Sequence, residues 1–515
     1  MTARDASSAN ASGANTGGET RFVIVSNRGP VTFSRNDSGE REYSRGAGGL
    51  VTALNAVTRR REETVWIASV QSEEDARVAE ESQGAPYEVE GLKVVLVRHG
   101  EEAYDLMYNH LANPLLWFVQ HSLYDLPYAP ELGDETRRAW EEGYVPVNEN
   151  FAEAVARTLE AAEGGAEGRT GGGEEPVILV HDYQLYMLPL SFRKRLGNEA
   201  SGSFVSVFVH IPWPEPEGWC VLPGYVREGV LRSLLEANVV AFHTWGYARS
   251  FVRTVREVLG FDADEEEGVI RPGDGREVWV RAYPISIDPE EFEDLARSEE
   301  VKEEEESLKD LPGKLLLRVD RMDLSKNIVR GFHAYDRMFE RHPEMREQVT
   351  FLARLQPSRG GIPEYAAYAE AVQRAVEEVN EKHGTDSWEP IQLSMDDNFL
   401  LSVAAYKNYD VLLVNAVRDG MNLIAKEAAV VNEKNGVLIL CENAGAHEEL
   451  GEHALTVNPF DLDEQAEALY EALTMPDGER VRRAEALQET IRSNTIEEWV
   501  EAQLKDIAAY REQYD

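Results

Sequence analysis

The chain has 515 residues, with 94 Asp and Glu against 52 Lys and Arg, a formal charge of −42. That length exceeds a single ordinary core, so two large domains are the natural division. The acidity excludes nucleic acid and anionic membrane as partners, and it means that any anionic substrate must be caught by a local cluster of Arg and Lys.

Residues 1–20 are rich in Ser, Ala, Gly and Thr, have no apolar centre of a signal peptide, and are expected to be disordered. Phe22 to Ser26 reads as a buried strand ended by Asn27-Arg28-Gly29-Pro30, after which a polar loop leads into Gly46-Ala47-Gly48-Gly49-Leu50 at the start of a helix. Apolar, β-branched runs recur at Val65 to Val70, Leu92 to Val97, Val177 to Val180, Phe204 to Val209 and Val239 to Phe242. Helical patterns such as Asn148 to Ala162 separate them, while the glycine-rich Gly164 to Glu174 reads as a surface insertion. Val269-Ile270 and Val278 to Val280 suggest a hairpin, and Asp288 opens a new helical region.

A second alternating set follows, with strands at Lys314 to Val319, Val349 to Ala353, Val411 to Val414 and Gly436 to Leu440. The expectation is an α/β protein of two Rossmann-like, doubly wound domains, 21–285 and 286–495, facing one another across a cleft, with a terminal helix 496–515 packed back on the first. No apolar run is long enough to span a membrane, and Cys220 and Cys441 lack metal-ligand spacing, so a cytoplasmic protein without disulfides or zinc is expected. A homo-oligomer stays open.

Open α/β sheets bind ligands beyond the carboxyl ends of their strands, and the chemistry-bearing residues cluster there. Arg418-Asp419-Gly420-Met421-Asn422-Leu423 follows the strand Val411 to Val414 and is expected to open a helix. Gly420 there lets backbone N–H groups approach a ligand, and Glu427, placed two turns along, suits the two hydroxyls of a ribose. Arg321 and Lys326 follow another strand and can neutralise a leaving diphosphate without a metal; Arg359 offers a guanidinium to a phosphate. In the first half, Asp182 and His210 end two strands, while Tyr108 and Trp117 lie nine residues apart in a helical stretch and are by default core aromatics. Asp262-Ala263-Asp264 matches an Asp-x-Asp metal pattern but stands before three glutamates in an expected loop, where it reads as a solvated charge run.

From Phe22 to its C-terminus the sequence resembles the trehalose-6-phosphate synthase family of retaining GT-B glycosyltransferases. The motifs that carry the resemblance occur in order: Ser26-Asn27-Arg28, Ala47-Gly48-Gly49-Leu50, Tyr108 with Trp117, His181-Asp182-Tyr183, His210-Ile211-Pro212, Arg321 with Lys326, Ser358-Arg359-Gly360, and Arg418 to Leu423 with Ala425-Lys426-Glu427. The resemblance implies that Arg28, Tyr108, Trp117, Asp182 and Arg359 hold an acceptor glucose 6-phosphate. It further implies that Arg321 and Lys326, with the Gly48-Gly49 backbone, hold the diphosphate of a nucleotide-glucose donor. His210 and Asp419 would contact the transferred glucose, Gly420 to Leu423 would line the donor, and Glu427 would take the ribose. No cofactor and no metal are implied.

Five positions depart from the family pattern: Ser69 replaces a second tryptophan, Leu324 a tyrosine, Asn327 a glycine after the lysine, and Asn415-Ala416 a Thr-Pro pair. The alternatives they leave are synthesis of glucosylglycerol phosphate or another phosphorylated glucoside, a pseudo-glycosyltransferase acting on a cyclitol, and a catalytically silent subunit that binds sugar phosphates.

Overall fold

The computed structural model of the chain describes residues 21–36, 38–45, 51, 54, 58, 64–164, 176–197 and 202–514. The expectations for Met1 to Thr20, for Gly46 to Leu50 with Gly48 and Gly49, and for 165–174 lie outside these residues. Apolar runs such as Phe22–Val25 and Val177–His181 are buried along their whole length, which requires cover on both faces of a sheet. In the first domain seven strands lie parallel in the order Leu92–Val97, Val65–Ser69, Phe22–Val25, Val177–His181, Phe204–Phe208, Val239–Phe242 and Val278–Ala282. Winding therefore reverses between Phe22–Val25 and Val177–His181.

The second sheet is parallel throughout, in the order Ile391–Ser394, Val349–Gln356, Lys314–Arg321, Val411–Val414, Val437–Cys441 and Leu455–Val457. Here the reversal falls between Lys314–Arg321 and Val411–Val414. Reversal points leave a crevice at the carboxyl ends of the strands, where ligands of doubly wound sheets bind. Arg28 and Asp182 stand just beyond the first crevice's two strands, and Lys326 and Asp419 beyond the second's.

Three local expectations need correction. The polar stretch after Pro30 is an antiparallel hairpin, Val31–Arg35 with Arg41–Arg45, because alternate residues Val31 and Phe33 turn inward onto Val78, Val94 and Leu96. Asp262–Asp264 is an edge strand, paired antiparallel with Val269–Arg271, and not a loop. Its carboxylates are used locally: Asp264 accepts from the N–H groups of Glu266 and Glu267 at 2.9 and 3.0 Å, and Asp262 lies 3.5 Å from Arg271. Finally, Ile391–Ser394 and Leu455–Val457 extend the second sheet beyond the expected strands, each too short and too mixed in composition to stand out.

The helix Ile496–Tyr514 lies against the first domain. Tyr510 donates to the Glu277 carbonyl at 2.8 Å and packs its ring 5.2 Å from Trp279; Tyr283 donates to Asp506 at 2.7 Å; Trp499 packs 5.3 Å from Phe208. Removing the large buried ring should dominate over removing one hydrogen bond. Trp499→Ala is expected to lower stability by about 3–5 kcal/mol and Tyr510→Phe by about 1 kcal/mol in urea unfolding.

Candidate functional site

At the first crevice, Asp182 follows its strand with φ 77° and ψ 171°, a conformation that costs a non-glycine residue about 1–3 kcal/mol. The side chain accepts from the Tyr183 N–H at 3.0 Å, and burial pushes its carboxyl up to about 6. His210 follows the next strand; its Nε2 lies 3.0 Å from His181 Nδ1, and its ring stacks on Phe208 at 4.4 Å. Burial, with His243 and His181 nearby, holds the His210 imidazole well below its ordinary value and therefore neutral at pH 7. Ser69, the residue that replaces a tryptophan, is buried and donates to Asn27 at 3.0 Å, next to Arg28.

Tyr108 and Trp117 come from one widened helix. Leu106–Leu116 is π-helical, with Pro114 inside it, and the Trp117 N–H reaches back five residues to the Ala112 carbonyl. This register turns Trp117 away from an ordinary core position to the domain boundary. Its indole N–H donates to Asp323 of the second domain at 3.3 Å.

At the second crevice, Arg321 is exposed, with its guanidinium 5.6 Å from the Trp117 ring, whereas Lys326 is largely buried and paired with Asp419. Asn422, at φ 77°, donates to the same carboxylate at 3.1 Å. Burial alone would raise Asp419, but the Lys326 charge and hydrogen bond outweigh it and hold the carboxyl below its ordinary value. The Asp419-Gly420-Met421 turn is held by its neighbours: Tyr247 of the first domain donates to the Asp419 carbonyl at 2.9 Å, and the Ala446 N–H to the Met421 carbonyl at 2.8 Å. Gly420 is small for a further reason, since a Cβ there would stand 2.1 Å from the His210 carbonyl of the facing domain.

Glu427 is not two turns along its helix. The left-handed Asn422 prevents the helix from beginning before Ile424, so Glu427 sits in the first turn of Ile424–Val431. Leu423 is the residue from which that helix departs. Lys426, next to Glu427, pairs with Glu449 at 2.6 Å and donates to the carbonyl of Ile285 in the interdomain connection at 3.0 Å. Burial pushes the Glu427 carboxyl up to about 7.

Across the cleft the two halves meet at Arg359. Its guanidinium lies 4.0 Å from the centre of the Trp117 ring, donates to the Tyr183 hydroxyl at 3.0 Å, and pairs with Asp323 at 3.2 Å. Tyr365 joins the cluster, donating to Asp323 at 3.0 Å. Burial would raise Asp323, yet the charges of Arg359 and Arg321 hold it at about 2. Likewise burial would raise the Tyr108 phenol, but Arg359 and Arg28 outweigh it and leave it below its ordinary value. Two arginines from opposite domains therefore act on one phenol.

Sequence reasoning passed over Asp323 and Tyr365, and quoted Tyr183 within a motif without giving it a role. Asp323 carried a usable signal, an acidic residue between the two cations of the Arg321 to Lys326 segment, but only burial reveals that it is the pivot. Tyr365 lies in the helix Pro363–His383, where its spacing reads as core.

The profile of glycosyltransferase family 20 matches residues 20–509. A bifunctional trehalose-6-phosphate synthase/phosphatase of Thermoproteus tenax is 35% identical over 495 residues, 93% of this chain and 62% of that protein, so the chain spans less than two thirds of its length. An alpha,alpha-trehalose-phosphate synthase (UDP-forming) of Candida albicans is 30% identical over 497 residues, 95% of this chain and 97% of the relative. The crystal structure of an alpha,alpha-trehalose-phosphate synthase (UDP-forming) from Burkholderia xenovorans in complex with glucose-6-phosphate shares the fold, with a TM-score of 0.77, 28% identity, and coverage of 95% of this chain and 100% of that one.

Two outcomes follow from the site's geometry. A raised Glu427 carboxyl keeps a proton in the folded state that the unfolded chain has lost above about pH 4.3, so the folded protein loses stability as pH rises from there to about 7. Between pH 5 and pH 8 the native protein should lose about 2 kcal/mol more than Glu427→Gln, read by urea unfolding at both pH values. Gly420→Ala, by forcing His210 and the Asp419 turn apart, should lower the melting temperature by several degrees, an effect that a control such as Gly478→Ala, where a Cβ meets nothing within 4 Å, will not show.

Proposed function

Because the chain belongs to glycosyltransferase family 20, we propose that it transfers glucose from UDP-glucose to glucose 6-phosphate with retention, giving trehalose 6-phosphate and UDP. The donor follows from mass balance. Trehalose 6-phosphate less glucose 6-phosphate leaves one glucosyl unit, and the relative from Candida albicans is UDP-forming. An α,α product from an α-linked donor requires retention at the transferred carbon.

The observation that carries the acceptor assignment is Arg359 of the second domain seated against Trp117 and Tyr183 of the first, with Arg28 acting on the same Tyr108 phenol as Arg359. A dianionic phosphate placed between the two arginines is recognised by planar, bidentate donors, and it links the domains. Asp182 would accept from an acceptor hydroxyl. On the donor side Arg321 and Lys326 would take the diphosphate, His210 and the Lys326-anchored Asp419 the glucose hydroxyls, and Glu427 the ribose.

In the transfer itself the bond from glucose C1 to the diphosphate oxygen breaks, and a bond from C1 to the acceptor's anomeric oxygen forms on the same face. The acceptor hydroxyl's proton passes to the departing phosphate oxygen. Asp419 is held as a hydrogen-bond acceptor by Lys326 and Asn422, so the protein's part is positioning and stabilisation of the charge that develops on the leaving group. Two fixed cations do this without a metal in the reading proposed. No helix of the described residues is long and apolar enough to cross a membrane, and the charged substrates suit a cytoplasmic enzyme.

The test is product identification with UDP-, GDP- and ADP-glucose against glucose 6-phosphate, glycerol 3-phosphate and glucose. Trehalose 6-phosphate from UDP-glucose is the expected product, free glucose should be a poor acceptor, and preference for glycerol 3-phosphate would give the Ser69 departure its meaning and overturn the acceptor. Excess EDTA should leave the rate within about two-fold if the cations suffice. Arg359→Ala should raise the KM for glucose 6-phosphate at least about ten-fold with little change in UDP affinity. Arg321→Ala should cut turnover about a hundred-fold without destabilising the fold, whereas Lys326→Ala should do both, because it strands the Asp419 carboxylate; adding Asp419→Asn to Lys326→Ala should restore stability but not activity.

A further inference from the structure

Two of the positions that depart from the family pattern, Asn327 and Asn415, touch one another. Asn327 follows Lys326 directly, is 3% exposed, and adopts φ 58°, ψ 36°, the left-handed conformation in which a glycine is at ease. It stands at the start of the helix Ile328–Arg341, where an amide commonly accepts from the N–H groups of the first turn, yet it makes no such bond. Instead its Nδ2 donates to the Asn415 carbonyl at 2.9 Å and to the Pro459 carbonyl at 2.7 Å, and its Oδ1 accepts from Arg330 at 2.8 Å. One side chain therefore joins the loops that follow three strands of the second sheet.

Beneath it lies a second tie. Arg318, wholly buried, pairs with Asp320 at 2.9 Å, donates to the carbonyls of Lys326 and Ile328 at 3.0 and 3.3 Å, and donates to the Asn415 side chain. The Asn415 amide in turn donates to the buried Gln465 at 2.7 Å. The Val417 N–H adds a backbone bond to the Ser325 carbonyl at 2.8 Å. The working ends of the two loops so joined are Lys326 and Asp419, themselves an ion pair.

We propose that Asn327 is a positioning residue for the donor: its amide sets the spacing between the Lys326 loop and the Asp419 turn, and so the geometry offered to the diphosphate and the glucosyl unit. The proposal rests on the donor reading above. A glycine in its place would keep the backbone conformation but leave the two carbonyls, Asn415 and Pro459, without their shared donor. The loops would then be held to each other by Val417, Arg318 and the Lys326–Asp419 pair, which fix the fold more firmly than they fix the relative tilt of the two turns.

The experiment compares the unmodified protein with Asn327→Gly, with Arg330→Ala as a control that breaks the outward hydrogen bond and the contact of Arg330 with the Phe460 ring but leaves the Asn327 amide in place. UDP affinity is measured by calorimetry, together with KM for donor and acceptor and the melting temperature. Asn327→Gly should weaken UDP binding and raise the donor KM about ten-fold or more, while the acceptor KM stays within about two-fold and Arg330→Ala behaves as unmodified. Unchanged UDP affinity in Asn327→Gly, or equal shifts in donor and acceptor KM, would overturn the proposal. Failure of the unmodified protein to bind UDP would instead sink the functional reading on which it rests. Asn327→Ala separates backbone strain from loss of the amide: if it destabilises the protein more than glycine does but weakens UDP binding to the same extent, the binding effect belongs to the amide.

Discussion

A carboxylate cut off from water must be matched by donors and cations, or it takes up a proton. Asp323 is matched from both halves of the chain, by the indole of Trp117 in the first domain and by Arg359, Tyr365 and the Ser325 backbone in the second. Its carboxyl, held down to about 2 and therefore ionised, fixes Arg359 at the cleft, and Arg359 in turn carries the contacts to Tyr183 and the Trp117 face. The contact of the two domains around Arg359 therefore depends on one ionised group. Gly420 against His210 performs the corresponding close approach on the donor side, with backbone in place of charge.

The molecule's net charge of −42 and its cationic cleft are reconciled by the same local logic. Much of the surface charge is spent in exposed pairs such as Arg138 with Glu142 or Arg297 with Glu293, which contribute little each. In the cleft, while Arg28 and Arg321 stay exposed, Lys326 and Arg359 are packed against a carboxylate or rings and have already lost much of their water. An anion that reaches them meets donors whose orientation is set in advance, and this is the condition under which electrostatic stabilisation is strongest.

How much of this was legible in the sequence depended on the length scale of the signal. Long apolar runs declared the parallel strands, because a strand buried on both faces has no polar alternation to obscure it. The hairpin Val31–Arg35 with Arg41–Arg45 was hidden because its outer face is polar and only Val31 and Phe33 turn inward. Asp262–Asp264 was hidden by its charge, which an edge strand tolerates. Motif residues announced themselves by type and place. What sequence could not give was pairing between distant segments: that Lys326 meets Asp419 and Asn327 meets Asn415 within the second domain, or that Trp117 and Asp323 share a hydrogen bond across the cleft over 206 positions.

Those pairings bear on how a phosphate enters. Arg359 is not an idle cation, since Asp323 already neutralises part of its charge, and a phosphate competing for it must leave Asp323 ionised and still satisfied. Trp117 and the Ser325 N–H can supply that satisfaction, because both donate to the carboxylate without bonding to Arg359, whereas the Tyr365 hydroxyl that also donates to it itself accepts from Arg359. The guanidinium has five N–H groups in its plane, enough to bond Asp323, Tyr365 and Tyr183 and still leave donors on its edge for an incoming anion. The Asp323 pair therefore orients Arg359 more than it occupies it. In the function proposed, an acceptor phosphate would gain Arg28 from the opposite domain as a second partner, and closure of the cleft would be driven by the one substrate group that both domains can reach.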